Sequence, residues 1–325
     1  MLGVVLATGS RLVAALRVLH GALPFEEQTV RVSESVEQSQ AGELDLSGLF
    51  LAEFQRKPVG ALLLRMQPDA VAFLWPPVVS LEAAKIVAVS STKQTPVVAE
   101  EIEDALLQAA KKHLGNRNVR LAQSLLDLNQ AREQAALSRN GFQRLTTLTF
   151  FEYRTTAHRR PKANIGRGLN ARLVHIVYRR SRNHRRFAEL IEQTYCGSLD
   201  CPEVNGIRSA SQSLNVYAES GPIIPDLWRV YCQGRHDVGV ILVVNRAEQM
   251  AWEVVYLGVV ESARQQGVAR LMVTDMINAA HEAQIERLMI VVDARNHPAI
   301  SLYESLGFTP FDERVAYVCL GNKIG

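Results

Sequence analysis

Apolar and polar positions follow the same order in the two halves of this chain. An amphipathic helix is predicted over residues 98–114 and again over 268–285, because apolar side chains recur three or four positions apart. After each of these helices the pattern predicts a strand, a short helix and a second strand, over 118–153 and over 287–320. The shared order indicates two copies of one fold.

The short helix of each copy ends in a Gly-Phe pair, at Gly141-Phe142 and at Gly307-Phe308. Glycine adopts the left-handed conformation that commonly closes a helix, and the phenylalanine then opens the next strand. The two pairs lie about half of the 325-residue chain apart, which supports the repeat.

The second copy shows the clearer pattern. Strands are predicted over 172–178, 228–232, 238–245, 252–260 and 287–293, a helix over 183–195, and an irregular segment rich in Gly, Pro and Ser over 196–226. The run 288–292 is continuously apolar, as expected for a strand covered on both faces, and the crossover from the preceding strand predicts a right-handed parallel unit. The expected fold class is α/β (α+β), with two domains that each contain a mixed, mostly antiparallel sheet with helices on both faces.

A candidate anion-binding loop lies between a strand that ends near Val260 and a helix that begins near Val268. The first backbone N–H groups of a helix have no internal partners, and the helix dipole adds partial positive charge there. Gly267 lets the backbone approach a pyrophosphate closely, Ala269 is small for the same reason, and two flanking arginines add cationic donors. The loop matches neither the Walker sequence nor GxGxxG.

The arrangement Arg264-x-x-Gly267-x-Ala269 between strand and helix resembles the coenzyme A signature [R/Q]-x-x-G-x-[G/A] of the GNAT superfamily of N-acetyltransferases. The sequence departs from that family where Glu261 stands in place of a usual proline. The preceding Leu257-x-Val259 is similar to the strand end that binds the pantetheine arm through its main chain. By this resemblance the cofactor-binding residues are Leu257, Gly258, Val259, Arg264, Gln265, Gln266, Gly267, Val268, Ala269, Arg270 and Asn296, with acetyl-CoA as co-substrate and no metal.

A second segment strengthens the resemblance, since 296–308 is similar to the family's Asn-x-x-A-x-x-LYxxxGF sequence. The family pattern implies that Asn296 contacts the cofactor. It also implies that Tyr303 lies near the thioester sulfur, where a phenol can protonate the departing thiolate. The alternative for Tyr303 is a tyrosine that faces the core.

The family reaction is direct attack of an amine on the acetyl carbonyl, polarised by a backbone N–H of the strand around 257–259. The amine must lose a proton, and Glu253 is the expected base because it alternates in phase with Val255, Leu257 and Val259, while Tyr256 points to the opposite face. A solvent-exposed strand position remains the alternative for Glu253. Weaker candidates for the base are Glu203 and Asp237.

The first copy lacks both the coenzyme A signature and the tyrosine of the second copy. No Arg-x-x-Gly-x-Gly/Ala sequence precedes its long helix, and Leu137 stands where the second copy has Tyr303. The expected organisation is a degenerate GNAT-like domain over 1–155, a basic linker over 156–170 and a catalytic domain over 171–325. This arrangement resembles tandem GNAT proteins in which one half is catalytic, so the first half is expected to serve structure or substrate capture.

Composition bears on the expected cellular location and on the state of the cysteines. No segment reaches the roughly 18 uninterrupted apolar residues of a membrane span, and the apolar N-terminus fits an amphipathic helix better than a signal peptide, so a cytoplasmic protein with no membrane association is expected. The four cysteines form no CxxC pair, which favours reduced thiols, with Cys196 and Cys201 as a weaker ligand-pair alternative.

The net charge is +3, but eleven Lys and Arg and no acidic residue lie between Arg154 and Arg186. This stretch is either a solvated linker or a surface for anions such as coenzyme A phosphates, an acidic substrate or RNA, although its few aromatic residues make nucleic acid the less expected partner. The acceptor is expected to be a small-molecule or peptide amine, with 196–226 as part of its wall. The alternative function is a non-catalytic, regulatory acyl-CoA-binding protein.

Overall fold

The computed structural model describes residues 2–67, 70–80, 97–157, 173–219 and 221–321. The described chain divides into two compact units. The first comprises Met1–Leu145 and Val315–Gly325, and the second comprises Thr146–Arg314. None of the described helices has the length and apolar character required to cross a membrane.

The first unit is a sheet with helices. Its elements are β1 (Leu2–Leu6), α1 (Ser10–Leu19), α2 (Phe25–Gln40), β2 (Leu49–Phe54), β3 (Lys57–Gln67), β4 (Val71–Leu74), β5 (Val78–Val79), α3 (Val97–Gly115), β6 (Leu121–Asp127), α4 (Ala131–Arg139) and the last residues of β13 (Thr309–Leu320). The strand order is β1-β2-β3-β4-β6-β13, with β5 beside β3. Its core includes Leu62 on β3, Leu106 on α3 and Tyr317 on β13.

The second unit carries the segment with the chemical motifs. Its elements are β7 (Gln143–Arg154), β8 (Val174–Val177), α5 (Arg180–Tyr195), α6 (Ala210–Glu219), β9 (Arg229–Gln233), β10 (His236–Arg246), β11 (Ala251–Val259), α7 (Val268–Glu282), β12 (Arg287–Asp293) and α8 (His297–Ser305). The strand order is β7-β12-β11-β10-β9-β8. Strands β11 and β12 run parallel and their neighbours antiparallel, so the mixed, mostly antiparallel sheet is confirmed.

The helix ends predicted from the Gly-Phe pairs are confirmed. Gly141 and Gly307 have φ angles of 84° and 93°, in the left-handed region where a side chain would be strained. The helix near the N-terminus is present over Ser10–Leu19, but the residues before it form strand β1, because a short apolar run suits either structure.

The compact units differ from the sequence-based boundaries in the assignment of two strands. Most of β7 belongs to the second unit, and β13 from Val315 onward belongs to the first. Alternation of apolar residues shows that a segment is a strand but does not specify which sheet it joins, so the sequence pattern could not reveal this. Most of the expected linker over 156–170, and with it much of the basic stretch, lies outside the described residues.

Candidate active site

The parallel strands β11 and β12 pair along only part of their length. Their register runs from Ala251 opposite Arg287 to Val254 opposite Ile290 and then stops. On the other side of β11, Val255 is the extra residue of a β-bulge, since Tyr256 and Val254 face consecutive residues of β10. A bulge bends and twists its strand. Residues 255–259 of β11 therefore extend beyond the region paired with β12. Their main-chain groups are not paired on the side of β11 that faces β12.

The bulge also changes the expected relationship between residues on β11. The prediction placed Glu253 in phase with Val255, Leu257 and Val259, but one extra residue breaks the two-residue period between Glu253 and Leu257. Glu253 lies in the paired part of the strand, opposite Met289, and its carboxylate accepts a hydrogen bond of 2.6 Å from Arg246 Nε. The two-residue alternation of a strand therefore does not place the side chains of Glu253 and Leu257 on the same face of β11.

The loop after β11 has the form of an anion cradle. Gln265 has a φ of 61°, and Gly267 is the N-cap of α7 with φ 87° and ψ 4°. No side chain caps this helix and no acidic residue lies in its first turn. Among the described residues, no protein acceptor receives a hydrogen bond from the backbone N–H groups of 265–270. These amides and the helix dipole thus form a site that suits a phosphate group.

Arg264 has a different environment from the one expected for a phosphate ligand. Its guanidinium donates to the carbonyl oxygens of Gly197 at 2.8 Å, Cys196 at 2.6 Å and Thr194 at 3.1 Å, which lie at the end of α5. Its Nε donates to the carbonyl of Val259 at 3.1 Å. These bonds satisfy carbonyls that a helix end leaves open. Arg264 therefore ties α5 to the loop after β11.

The other residues of the loop lie around the cradle. Gln265 and Gln266 are exposed, and the Gln266 side chain donates to the Ser262 carbonyl at 2.8 Å. Val268 is buried and Ala269 partly buried. Arg270 is half-buried and donates to the Ser305 hydroxyl at 2.7 Å, which places a cation at the start of α7 beside α8.

Gly258 allows α5 to approach β11. A Cβ atom at Gly258 would lie 2.5 Å from Thr194 Oγ1 and 2.8 Å from Thr194 Cβ. The same Thr194 hydroxyl lies 2.6 Å from the Tyr256 hydroxyl. Gly258 thus permits a close contact between α5 and β11. The sequence had instead indicated Gly258 as a cofactor-binding residue.

Helix α8 carries Tyr303 and is preceded by its N-cap residue, Asn296. The Asn296 side chain caps the helix by accepting a hydrogen bond of 3.3 Å from the Ala299 amide. Tyr303 is 4% exposed, and its ring packs against Phe151 and Phe308 at centroid distances of 6.2 and 5.8 Å. Burial raises the pKa of Tyr303, so the phenol is neutral and can donate a proton. In the described part of the chain no protein group hydrogen-bonds its hydroxyl.

A network of carboxylates lies at the carboxyl end of β12. Asp293 is fully buried and accepts hydrogen bonds from Thr146 at 2.6 Å, from the Arg295 guanidinium and from the Cys201 amide at 3.1 Å. Burial alone would raise the pKa of Asp293, but the bonds from Arg295 and Thr146 outweigh it and hold the pKa at about 2. The Asp293 amide in turn donates to Asp200 Oδ1 at 2.8 Å.

The two weaker candidates for the base are both engaged. Glu203 receives two hydrogen bonds from Arg295, at 2.6 and 3.0 Å, and these lower its pKa. Asp237 receives two from Arg186, at 2.7 and 2.6 Å, which likewise lower its pKa. Asp200 was not predicted, because it lies in the irregular segment between α5 and α6, where no periodicity or motif marks a residue.

In the first unit, β4 and β6 run parallel over the three pairs from Val71 opposite Leu121 to Phe73 opposite Gln123. Leu137 is buried on α4, at the position that corresponds by sequence to Tyr303. The segment before α3, where a phosphate loop would be sought, lies outside the described residues. The degenerate character of this half stays a prediction from sequence.

Comparisons with known proteins agree with this geometry. Residues 219–308, which include the cradle and Tyr303, match the model of the Acetyltransferase (GNAT) family. A GCN5-related N-acetyltransferase from Sphaerobacter thermophilus superposes with a TM-score of 0.61 at 14% identity, over 98% of this chain and 96% of that one. A tandem GNAT protein from the clavulanic acid biosynthesis pathway gives 0.53 at 14% identity, over 99% of both chains.

A third solved structure is a GCN5-related glucosamine N-acetyltransferase region of a fungal multi-domain GH3 β-N-acetylglucosaminidase, with a TM-score of 0.55 at 13% identity, over 91% of this chain and 37% of that one. No curated protein matches the sequence. At these identities the structural likeness concerns the fold. The segment 219–308 thus matches the GNAT acetyltransferase family, within a chain whose fold is similar to that of a tandem GNAT protein.

Proposed function

We propose that the second unit is an acyl-CoA-dependent N-acyltransferase that transfers acetyl from acetyl-CoA to a primary amine. The observation that carries the proposal is the uncapped start of α7, whose amides have no protein acceptor in the described chain and lie directly after the open part of β11. A pyrophosphate fits the first feature and an extended pantetheine arm fits the second.

Cofactor binding would use the residues around this junction. The amides of 265–270 would hold the pyrophosphate, and Arg270 would add positive charge. The main chain of Leu257 and Val259 would hydrogen-bond the pantetheine arm, with an N–H of this strand polarising the acetyl carbonyl. The side-chain oxygen of Asn296 caps α8, so its side-chain nitrogen would be the group that contacts the cofactor.

In the proposed reaction the amine nitrogen forms a bond to the acetyl carbon while the carbon–sulfur bond breaks. The ammonium form of the amine first gives up one proton, and the amide nitrogen gives up a second after attack. Tyr303 donates a proton to the departing thiolate and regains one from the amine, so that one proton is released to solvent in each turnover. Burial keeps the Tyr303 phenol protonated for this role.

The amine also needs a proton acceptor. Glu253 remains a candidate, but its carboxylate already accepts from Arg246, so it must act through a water molecule or exchange that partner. The first unit is proposed to be a degenerate copy that contributes structure or substrate capture.

The test is acetyl-CoA binding by calorimetry together with thiol release in a panel of primary amines. Gly267→Asp would place a carboxylate at the cradle and should abolish acetyl-CoA binding, because like charges repel at the helix start. The matched control is Gly234→Asp, at another glycine of positive φ (61°) with no atom within 4 Å of an added Cβ. Binding without thiol release from any amine would favour the regulatory alternative.

A further inference from the structure

One face of the sheet in the second unit carries charged side chains in register on three adjacent strands. Glu253 on β11 and Glu152 on β7 both lie opposite Met289 of β12, on its two sides. Residues directly opposite one another in a sheet point to the same face, so the two glutamates share a face and lie two strand spacings, or about 10 Å, apart. Arg287 and Arg154 form the neighbouring cross-strand pair on that face.

This arginine pair, Arg154 and Arg287, shares the single carboxylate of Glu152. Arg154 donates from Nε to Oε1 at 2.7 Å, and Arg287 donates from Nε to Oε2 at 2.7 Å. The Glu152 side chain is 8% exposed, whereas those of Arg154 and Arg287 are 59% and 25% exposed. Within the described parts of the chain, no further acceptor binds the Arg154 guanidinium. One carboxylate therefore compensates two cations, and Arg154 presents unused N–H donors to solvent.

An accessible apolar surface adjoins the arginine pair. Arg287 Cζ lies 5.4 Å from the centroid of the Phe311 ring, which is 45% exposed, and this contact helps to fix the guanidinium. The Phe311 ring meets that of Phe150 edge-on at 6.2 Å. Phe150 lies opposite Val291 on the same face as Met289, and both Phe150 and Val291 are partly exposed. A ligand bound at the arginine pair could thus lay an apolar chain across β12.

The other charges near this face are distributed unevenly along it. Two ion pairs are balanced one to one: Glu253 with Arg246 at 2.6 Å, and Asp312 with Arg314 at 2.9 Å. At the carboxyl end of β12, by contrast, Arg295 is shared by Asp293 and Glu203. The face is therefore more positive at the arginine pair and more negative toward the end of β12, the direction in which β11 becomes unpaired.

Guanidinium groups bind carboxylates through planar, charge-assisted hydrogen bonds, and an excess of one positive charge matches a monoanion. We propose that the arginine pair binds a carboxylate of the acceptor, and that the acceptor is an amine whose carboxylate lies about 10 Å from its nitrogen. The chain between these groups would cross β12 at Met289 and Val291, with the amine beside Glu253 and the open part of β11. This inference rests on the proposed function, and it names the class of acceptor.

The experiment measures binding by calorimetry to the protein loaded with coenzyme A, so that it does not depend on turnover. Three probes of the same length differ only at the far end: 8-aminooctanoate has a carboxylate, 8-aminooctanamide a neutral amide and 1,8-diaminooctane a second ammonium group. We expect the carboxylate probe to bind at least about fivefold more tightly than the amide, and the diamine to bind most weakly. 4-Aminobutanoate, which is too short to cross β12, should bind no better than the amide probe.

Variants of Arg154 test the assignment, because this exposed side chain can be changed with little effect on folding. Arg154→Gln should reduce the preference for the carboxylate over the amide about threefold or more, since one of two cations is lost. Arg154→Lys keeps the charge and should retain most of the preference. Arg185→Gln is the control, because Arg185 is 91% exposed and paired with Glu189, and it should change nothing.

Equal affinity for the carboxylate and amide probes, or for 8-aminooctanoate and 4-aminobutanoate, would overturn the inference. So would an unchanged preference in Arg154→Gln, or no binding of 8-aminooctanoate at all. In each of these cases coenzyme A binding, and thiol release with other amines, would still stand as evidence for the proposed function. Conversely, a failure to bind coenzyme A would refute the proposed function itself.

Discussion

The Thr194 hydroxyl lies 2.6 Å from the Tyr256 hydroxyl, which joins the last turn of α5 to β11 just beyond its bulge. Thr194 is buried and also bonds the Ile191 carbonyl at 2.7 Å, so its position is fixed from both sides. Through this contact α5 sets the position of Tyr256, on the part of β11 that extends beyond its pairing with β12. The packing of α5 on β11 and the shape of the site are therefore coupled.

Gly258→Ala tests this coupling. The added methyl group would clash with Thr194, and overpacking of this kind costs about 1–3 kcal/mol of unfolding free energy. We expect a lower urea midpoint, because the clash also displaces the Thr194 hydroxyl from its contact with Tyr256. Gly3→Ala is the control, since an added Cβ there meets no atom within 4 Å. Equal stability of the two variants would show that α5 does not pack as tightly as described.

Arg264→Lys separates a bracing role from a phosphate-binding role. Lysine keeps the positive charge but cannot reach four carbonyls at once, because it lacks the planar guanidinium. We expect a loss of about 1–3 kcal/mol in stability, with acetyl-CoA affinity reduced less than in Gly267→Asp. Unchanged stability with a large loss of acetyl-CoA affinity would instead identify Arg264 as a direct phosphate ligand. Thermal unfolding and calorimetry on the same samples distinguish the two outcomes.

These residues also show how far the sequence could lead. The cradle was predictable because a glycine at a helix start, with the small Ala269 two positions later, leaves room for an anion, and Gly267 adopts the left-handed conformation that favours glycine. The function of Arg264 was not predictable, since a guanidinium serves a carbonyl cluster as well as a phosphate. The sequence motif fixes its position in the chain but not its partners.

Two other features could not be predicted from the periodicity of the sequence. The bulge at Val255 depends on the register between β10 and β11, which the alternation of a single strand does not contain. Asp200 is held by the backbone amide of Asp293, which lies 93 residues away in sequence. A contact between residues so far apart leaves no local pattern, so the placement of Asp200 could be found only from the structure.

Tyr303→Phe tests the proton donor. The ring stays in its packing against Phe151 and Phe308, so the fold and acetyl-CoA affinity should be unchanged. If the phenol protonates the thiolate, kcat should fall about 10²–10⁴-fold with little change in KM for the amine. Tyr153→Phe is the matched control, because it is another buried tyrosine that packs on Phe308. A comparable fall in kcat for both variants would point to a structural cause.

Asp293 predicts a dependence of stability on pH. Its folded pKa of about 2 lies below the ordinary value of 3.8, so the native state favours the carboxylate more than the unfolded state does. This group therefore contributes about 2 kcal/mol above pH 4, and the contribution is lost as the pH falls from about 4 toward 2. Glu203, whose pKa is also lowered by Arg295, contributes in the same direction.

Asp293→Asn should accordingly be less stable than the parent protein by about 2 kcal/mol or more at pH 7, with a difference that shrinks below pH 4. The measurement is urea unfolding of both proteins at several pH values. Asp226→Asn is the control, because Asp226 is 79% exposed and its 3.6 Å ion pair with Arg179 should contribute less than about 1 kcal/mol at any pH. A pH-independent difference for Asp293→Asn would mean that its effect comes from neutral hydrogen bonding rather than from charge. The network that positions Asp200 would then be insensitive to protonation of Asp293.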